Sequence, residues 1–304
     1  MNLFDLIYHN IPKTKKYVLS VALAHDYDVL SSVSRAVAIN LIEAILVGDA
    51  SKIEEIASAH QLSLANCRII HEPDMTLASE IAVRLVSSGE ANLLMKGLVD
   101  TSILLKAVLN KEWGLRGKHI FSHVFVASIP GFNRIFLVSD AAMNIAPDLV
   151  MKKQIIENCL PIASALGIEN PKVAVVCAIE KVNPKMQATL DAKELSDMQK
   201  RGEITGCTVD GPFGFDNAVS ELAAHHKGIT NPNAGKADIL IMPTIEAGNI
   251  LYKAITFFAK GSVACMISGA SAPIVLTSRA DSDNDKLNSI ALACLMAGKS
   301  DYNK

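Results

Sequence analysis

The chain has 304 residues, 50% of them apolar and only 20% charged; this excludes a disordered chain and provides core material for about two domains. Its 29 basic and 31 acidic residues leave a net charge of −2, so no nucleic acid and no anionic membrane surface is expected as a partner. Any anionic ligand must be met by a local basic cluster, and no apolar run reaches the ~18 residues of a membrane span.

Residues 1–10 form a mixed amphipathic segment with Asp5 in it. A basic region followed by an apolar stretch and a cleavage site is missing there, so a cytoplasmic location is expected. Residues 17–24 (YVLSVALA) predict a strand and 28–40 a helix. Residues 43–48 predict a second strand, followed by a helix through His60. A strand at 67–70 with a helix at 75–88, then a strand at 92–96 with a helix at 100–109, repeat the unit. This alternation predicts βα units and a mainly parallel sheet flanked by helices. The alternation breaks at 123–127 and 134–139, where a six-residue Pro-Gly connection is too short for a crossover helix and predicts an antiparallel hairpin. A long helix is expected from Pro147, with Pro in its first turn, Pro161 as a point of kinking and Gly167 at its end. Strands at 172–176, 208–210, 239–243, 262–268 and 274–276 alternate with helices at 184–200, 215–227, 246–258 and 283–296. The six cysteines lie mostly in apolar runs and form no CxxC pair. They read as buried free thiols in a reducing compartment, and no metal site is expected.

Ligands of open α/β sheets bind beyond the carboxyl ends of strands, and four such places carry polar residues. After the fourth strand, Lys96-Gly97 is followed by a helix start with Thr101 and Ser102. A lysine beside a hydroxyl-bearing helix N-terminus is a competent phosphate site, although an ordinary turn and cap explain the same residues. Asp210-Gly211-Pro212 follows a strand and fits either a ligand contact or a plain turn, with Phe213 and Phe215 as neighbouring core or pocket residues. Gly248 and Asn249 are poor helix formers in the first turns of a helix, which signals close approach of a ligand or of another backbone. Finally, Ser278-Arg279 follows an apolar strand and precedes Asp281, Asp283 and Asp285. Acids at a helix start complement its dipole, whereas Arg279 is placed to hold an oxyanion with Asp281 near enough to orient it.

The segments NLLMKGLVDTSILLKAVLNKEWGLR, VDGPFGFDNAVS, MPTIEAGNILYK and SAPIVLTSRADS together resemble the phosphate acetyl/butyryltransferase family, closest to its butyryl branch. The resemblance runs from about residue 15 to the C-terminus, with the four motifs in the family's order. It implies two α/β domains with a cleft between them, of the kind shared with isocitrate/isopropylmalate dehydrogenases. The first domain would comprise residues 1–122 and 268–304 and the second residues 123–267. It implies reversible conversion of a short-chain acyl-CoA, butyryl-CoA above all, and inorganic phosphate to acyl phosphate and CoA. Coenzyme A is then substrate and product, no cofactor is held permanently, and the protein is a homodimer.

The resemblance makes Ser278 and Arg279 catalytic, with two carboxylates competing for the role of base. The acetyl branch places its acid six residues after the Arg, which is Asp285; the butyryl branch places one two residues after it, which is Asp281. Lys96, Gly97, Thr101 and Ser102 are candidates for phosphate. Asp210, Gly211 and Asn249 are further substrate contacts, and Arg116, with Lys111, Lys118 and His119, is a basic rim for the CoA phosphates or simply a solvated loop. Two other readings compete: a metal- and NAD-dependent dehydrogenase of the same fold, and a non-catalytic relative that binds CoA or acyl phosphate.

Overall fold

The computed structural model describes residues 3–299. The chain divides into two compact units, residues 1–118 with 263–304, and residues 119–262.

The first unit opens with α1 (Leu3–His9), β1 (Val18–Ala22), α2 (Tyr27–Ala38), β2 (Glu43–Gly48) and α3 (Ala50–Ala59). It continues with β3 (Cys67–His71), α4 (Met75–Ser87), β4 (Leu93–Lys96) and α5 (Thr101–Val108). Aspartates start the helices by accepting first-turn N–H groups: Asp26 from Val29, Asp49 from Lys52 and Asp74 from Thr76 and Leu77. The strands are parallel, with β2 and then β3 added on one side of β1 and β4 on the other. The chain therefore reverses its direction of growth between β1 and β4, and that switch point is where open α/β sheets bind ligands.

The second unit contains β5 (Ser122–Ser128), β6 (Phe136–Ser139), α6 (Leu149–Ala165), β7 (Lys172–Val176) and α7 (Gln187–Lys200). It closes with β8 (Thr208–Phe213), α8 (Phe215–Val219), α9 (Glu221–His226), β9 (Ile239–Ile241), α10 (Ile245–Lys253) and a π-helical turn, Ala254–Phe258. The expected hairpin is present: β5 and β6 pair antiparallel, with Phe125 opposite Val138. Beyond β6 the order is β9, β7, β8, all parallel.

Several expectations for this unit need correction. Pro147 is not in the first turn of α6; Asp148 is the N-cap and accepts from the Met151 N–H at 2.8 Å. α6 runs on through Pro161 to Ala165. The strand expected at 208–210 continues to Phe213, so Asp210 stands inside it. The single helix expected at 215–227 is two, because Ser220 adopts an extended backbone and its hydroxyl caps α9 through the Ala223 N–H. The helix expected at 246–258 changes at Ala254 into the π-helical turn.

The chain returns to the first unit through β10 (Ser262–Ser268), β11 (Ile274–Val275) and α11 (Asp283–Gly298). β11 pairs antiparallel with β10 and parallel with β4, bringing the end of β11 beside the end of β4. α11 is buried without interruption from Lys286 to Met296. Ser289 fixes it to β10, since its hydroxyl accepts the Cys265 N–H at 2.9 Å. Among the described residues no helix is long and apolar enough to cross a membrane.

Candidate active site at the ends of strands β4 and β11

Lys96 is the last residue of β4 and is 7% exposed. Among the described residues its ammonium makes one hydrogen bond, to the Gly97 carbonyl at 3.3 Å. Burial pushes its pKa below the ordinary lysine value; Arg279 and Lys286 push the same way, against Asp100 and Asp26. Gly97 lets the chain turn tightly onto the β1 loop, because a Cβ there would lie 2.2 Å from the Leu23 carbonyl oxygen. Asp100 is the N-cap of α5, yet its side chain does not cap. The Thr101 and Ser102 hydroxyls make no hydrogen bond among the described residues, so the start of α5 presents donors beside the buried ammonium.

The turn after β11 faces this helix start. Arg279 is 63% exposed at its side chain, and its Nη2 donates to Asp100 Oδ1 at 2.7 Å. The carboxylate paired with Arg279 is thus Asp100, where the sequence pointed to Asp281. Asp281 is buried and shapes the turn instead: its Oδ2 accepts the Ser278 N–H at 2.6 Å. Lys286, 2% exposed, grips the same turn from α11 by donating to the Asp281 carbonyl at 2.5 Å and the Ser278 carbonyl at 3.5 Å.

The other two acids at this helix start have different partners. Asp283 Oδ2 accepts from Ser31 and Arg35 of α2 at 3.0 and 2.9 Å. Burial alone would raise its pKa, but those two donors bring it below the usual carboxylate range. Asp285 accepts the Val263 N–H at 2.9 Å and the Ser282 hydroxyl at 2.7 Å. Burial raises its pKa, those hydrogen bonds oppose the shift, and the charge of Asp281 adds to it. Among the described residues no group of three or more His, Cys, Asp or Glu side chains is arranged to hold a metal ion.

The remaining candidates lie elsewhere. Arg116 is exposed, bridged by its backbone to Ala270, and its Nε donates to the Leu109 carbonyl at 2.7 Å. Asp210 and Gly211 belong to the second unit, inside β8 and not at a strand tip. Both Asp210 oxygens accept amide N–H groups, from Asn231 at 2.8 Å and Asn233 at 2.7 Å. A Cβ on Gly211 would come within 3.1 Å of Val175 and Ala192. Phe213 is core at 4% exposure, whereas Phe215 is 42% exposed. The close approach signalled by Gly248 is made by backbone: a Cβ there would sit 2.1 Å from the Asp140 carbonyl oxygen. Asn249 extends the same contact by donating to the Ala141 carbonyl at 3.2 Å.

The family model for phosphate acetyl/butaryl transferase matches residues 71–294. The chain belongs to this family. It is an acyltransferase. A phosphate butyryltransferase of Clostridium beijerinckii is 47% identical over 296 residues, covering 97% of this chain and 98% of that protein. A probable phosphate butyryltransferase of Bacillus subtilis is 50% identical, covering 96% and 97%. A phosphate acetyltransferase of Thermotoga maritima is 48% identical, covering 92% and 95%. Among solved structures, a branched-chain phosphotransacylase from Enterococcus faecalis matches with a TM-score of 0.82 at 35% identity, over 92% of this chain and 99% of that one.

Three residues of this acyltransferase escaped the sequence reading. Asp100 resembles any N-cap, and its partner is 179 positions away. Lys286 hides between an acid and the apolar face of α11, where a lysine normally marks solvent. Asp140 follows β6 and is 1% exposed; it accepts the N–H groups of Ala142, Met143 and Asn144. A lone Asp after an apolar strand was the available signal for it.

Proposed function

We propose that the protein transfers a short acyl group, butyryl foremost, between the sulfur of CoA and an oxygen of inorganic phosphate: butyryl-CoA + phosphate ⇌ butyryl phosphate + CoA. The observation that carries this reading is Lys96. A buried ammonium with a single 3.3 Å carbonyl partner is incompletely compensated for its lost hydration, and an arriving phosphate group would compensate it. Arg279 and the open N-terminus of α5 supply the remaining donors that a dianion needs. Gly97 supports the reading by admitting the turn, and Thr101 and Ser102 by their hydroxyls.

In the acyl-phosphate-forming direction a phosphate oxygen attacks the thioester carbonyl carbon. The carbonyl bond re-forms as the C–S bond breaks, and CoA leaves as a thiolate that takes up a proton. In reverse, the thiol yields its proton, sulfur attacks the acyl phosphate carbonyl and phosphate departs. Arg279 stabilises the developing negative charge, and the Ser278 hydroxyl donates to sulfur or phosphate. Asp285 is assigned as the base. A normal Asp and a thiol differ by about 4–5 pKa units, and the raised pKa of Asp285 narrows that gap. Asp281 is assigned to holding the turn. Asp210, Gly211 and Asn249 act by fixing loops of the second unit, and exposed Arg116 meets a CoA phosphate.

The names of the relatives support butyryl, acetyl and branched acyl chains, and the near end-to-end coverage by the C. beijerinckii protein favours butyryl. The wider kinship with isocitrate dehydrogenase-like enzymes is part of the same proposal. It is supported by the fold likeness to a putative 4-hydroxythreonine-4-phosphate dehydrogenase of Salmonella typhimurium, with a TM-score of 0.57 at 12% identity. The exposed Ile250, Phe257 and Phe258 support a homodimer, and the buried thiols a cytoplasmic setting. The two units are taken as the two domains. The test is a series of kcat/KM values with phosphate over acetyl-, propionyl-, butyryl-, isobutyryl- and valeryl-CoA. A maximum at butyryl is expected, one methylene either way costing about 10-fold or more. A maximum at acetyl would refute the butyryl assignment. Tight CoA binding without turnover of any member would favour the non-catalytic reading.

A further inference from the structure

Among the described residues, every other Asp, Ser or Thr at an N-cap bonds its own helix: Asp26, Asp49, Asp74, Asp148, Ser220, Thr244 and Ser282. Asp100 has the same extended backbone, φ −67° and ψ 137°, and the same side chain, yet makes no such bond. Its carboxylate has turned to Arg279 at 2.7 Å. The ion pair joins two loops distant in sequence, at the ends of β4 and β11, and its partners are 63% and 65% exposed, so it is readily rearranged. The helix end that Asp100 leaves uncapped lies next to Lys96, which is 93% buried by its 7% exposure and carries the single 3.3 Å hydrogen bond.

We propose that Asp100 is a positioning residue of the phosphate subsite, acting through Arg279: by pairing with the guanidinium it keeps its own carboxylate off the N-terminus of α5 and so leaves those donors open to phosphate. This rests on the reading of Lys96 and α5 as the phosphate site. The Ile103 N–H already donates to the Asp100 carbonyl at 3.0 Å, so the open donors are the Thr101 and Ser102 N–H groups, and a capping side chain at position 100 would compete with phosphate for the Ser102 N–H. A neutral side chain without an acceptor would leave them open, and would remove both the hold on Arg279 and a like charge beside the anion.

The two amide and methyl replacements therefore separate. Asp100→Ala shifts KM for phosphate by less than about threefold, because its two consequences oppose each other. Asp100→Asn, the better N-cap, raises KM for phosphate about tenfold while melting at or above the temperature of the Ala variant. Asp100→Glu, a poor cap that can still reach Arg279, stays close to wild type. KM for butyryl-CoA is unchanged in all three. A merely structural role would make KM follow Tm, the opposite order for Asn and Ala. An Asn variant with a phosphate KM at or below that of Ala overturns the proposal while leaving the phosphate site in place. Wild-type protein with no phosphate-dependent turnover would instead remove the function on which it rests.

Discussion

At the scale of single residues, the site gathers positive charge at depth and keeps its acids under separate control. Lys96 and Lys286 are buried, Arg279 is exposed, and Asp281 and Lys286 together fix the turn that carries Ser278 and Arg279. Asp285 is the acid whose environment favours its neutral form, first by burial and then by the nearby charge of Asp281. In its proposed role as base it works only when ionised, so kcat/KM is expected to fall as pH drops through a pKa above the ordinary Asp range of ~4. Stability has the reverse sign. A carboxyl with a raised folded pKa favours folding below its unfolded pKa, and that contribution disappears as pH rises through the folded value. Asp285→Asn, neutral at all pH values, should therefore lose roughly 100-fold or more in kcat at pH 7 and melt no lower than wild type. Rate against pH and a thermal melt check both halves, and a variant that melts lower with normal kcat would contradict both.

At the scale of elements, the candidate site is the meeting of three turns, after the neighbouring interior strands β1, β4 and β11. Much of this was legible in the sequence. β-branched runs and polar strand exits mark the βα units, and the Pro-Gly connection marks the β5–β6 hairpin, because each depends on local composition. What was not legible depends on distant partners. Asp100 is drawn from its cap by Arg279, and the close approach that Gly248 signalled has as its partner the Asp140–Ala141 backbone, more than 100 positions away, which composition does not name. Ser220 breaks an apparently continuous helix, for which the backbone of Ser220 and Glu221 packing against Gly235 is the tertiary reason. Gly97 is the sharpest test at this scale, since a methyl group there would have to displace the Leu23 carbonyl from 2.2 Å. Gly97→Ala should lose about 1–3 kcal/mol of stability and most activity, because the β1 and β4 turns move apart together. Denaturant melts with a phosphate titration would show it, and an unchanged melt with normal KM would mean that the turn is not under this constraint.

At the scale of the whole molecule, the apolar excess has a physical home. β1, β2 and β4 are buried along nearly all their length, and α11 is buried from Lys286 to Met296, so aliphatic side chains fill space that aromatics fill elsewhere. A net charge of −2 is compatible with an anionic substrate because the cations proposed to meet it, Lys96 and Arg279, are few and stand at the end of β4 and after β11. The protein's own thiols do not confuse an assay for CoA. Five of its six cysteines are buried, and burial pushes Cys67, the half-buried one, up to about 11. Release of free CoA thiol from butyryl-CoA, with and without phosphate, in wild type and Arg279→Ala, is thus the most direct measurement. Release is expected to require phosphate, with a loss of about 10²–10³-fold in kcat/KM in the variant, as for removal of an oxyanion donor. Phosphate-dependent release at near wild-type rate without Arg279 would contradict that expectation.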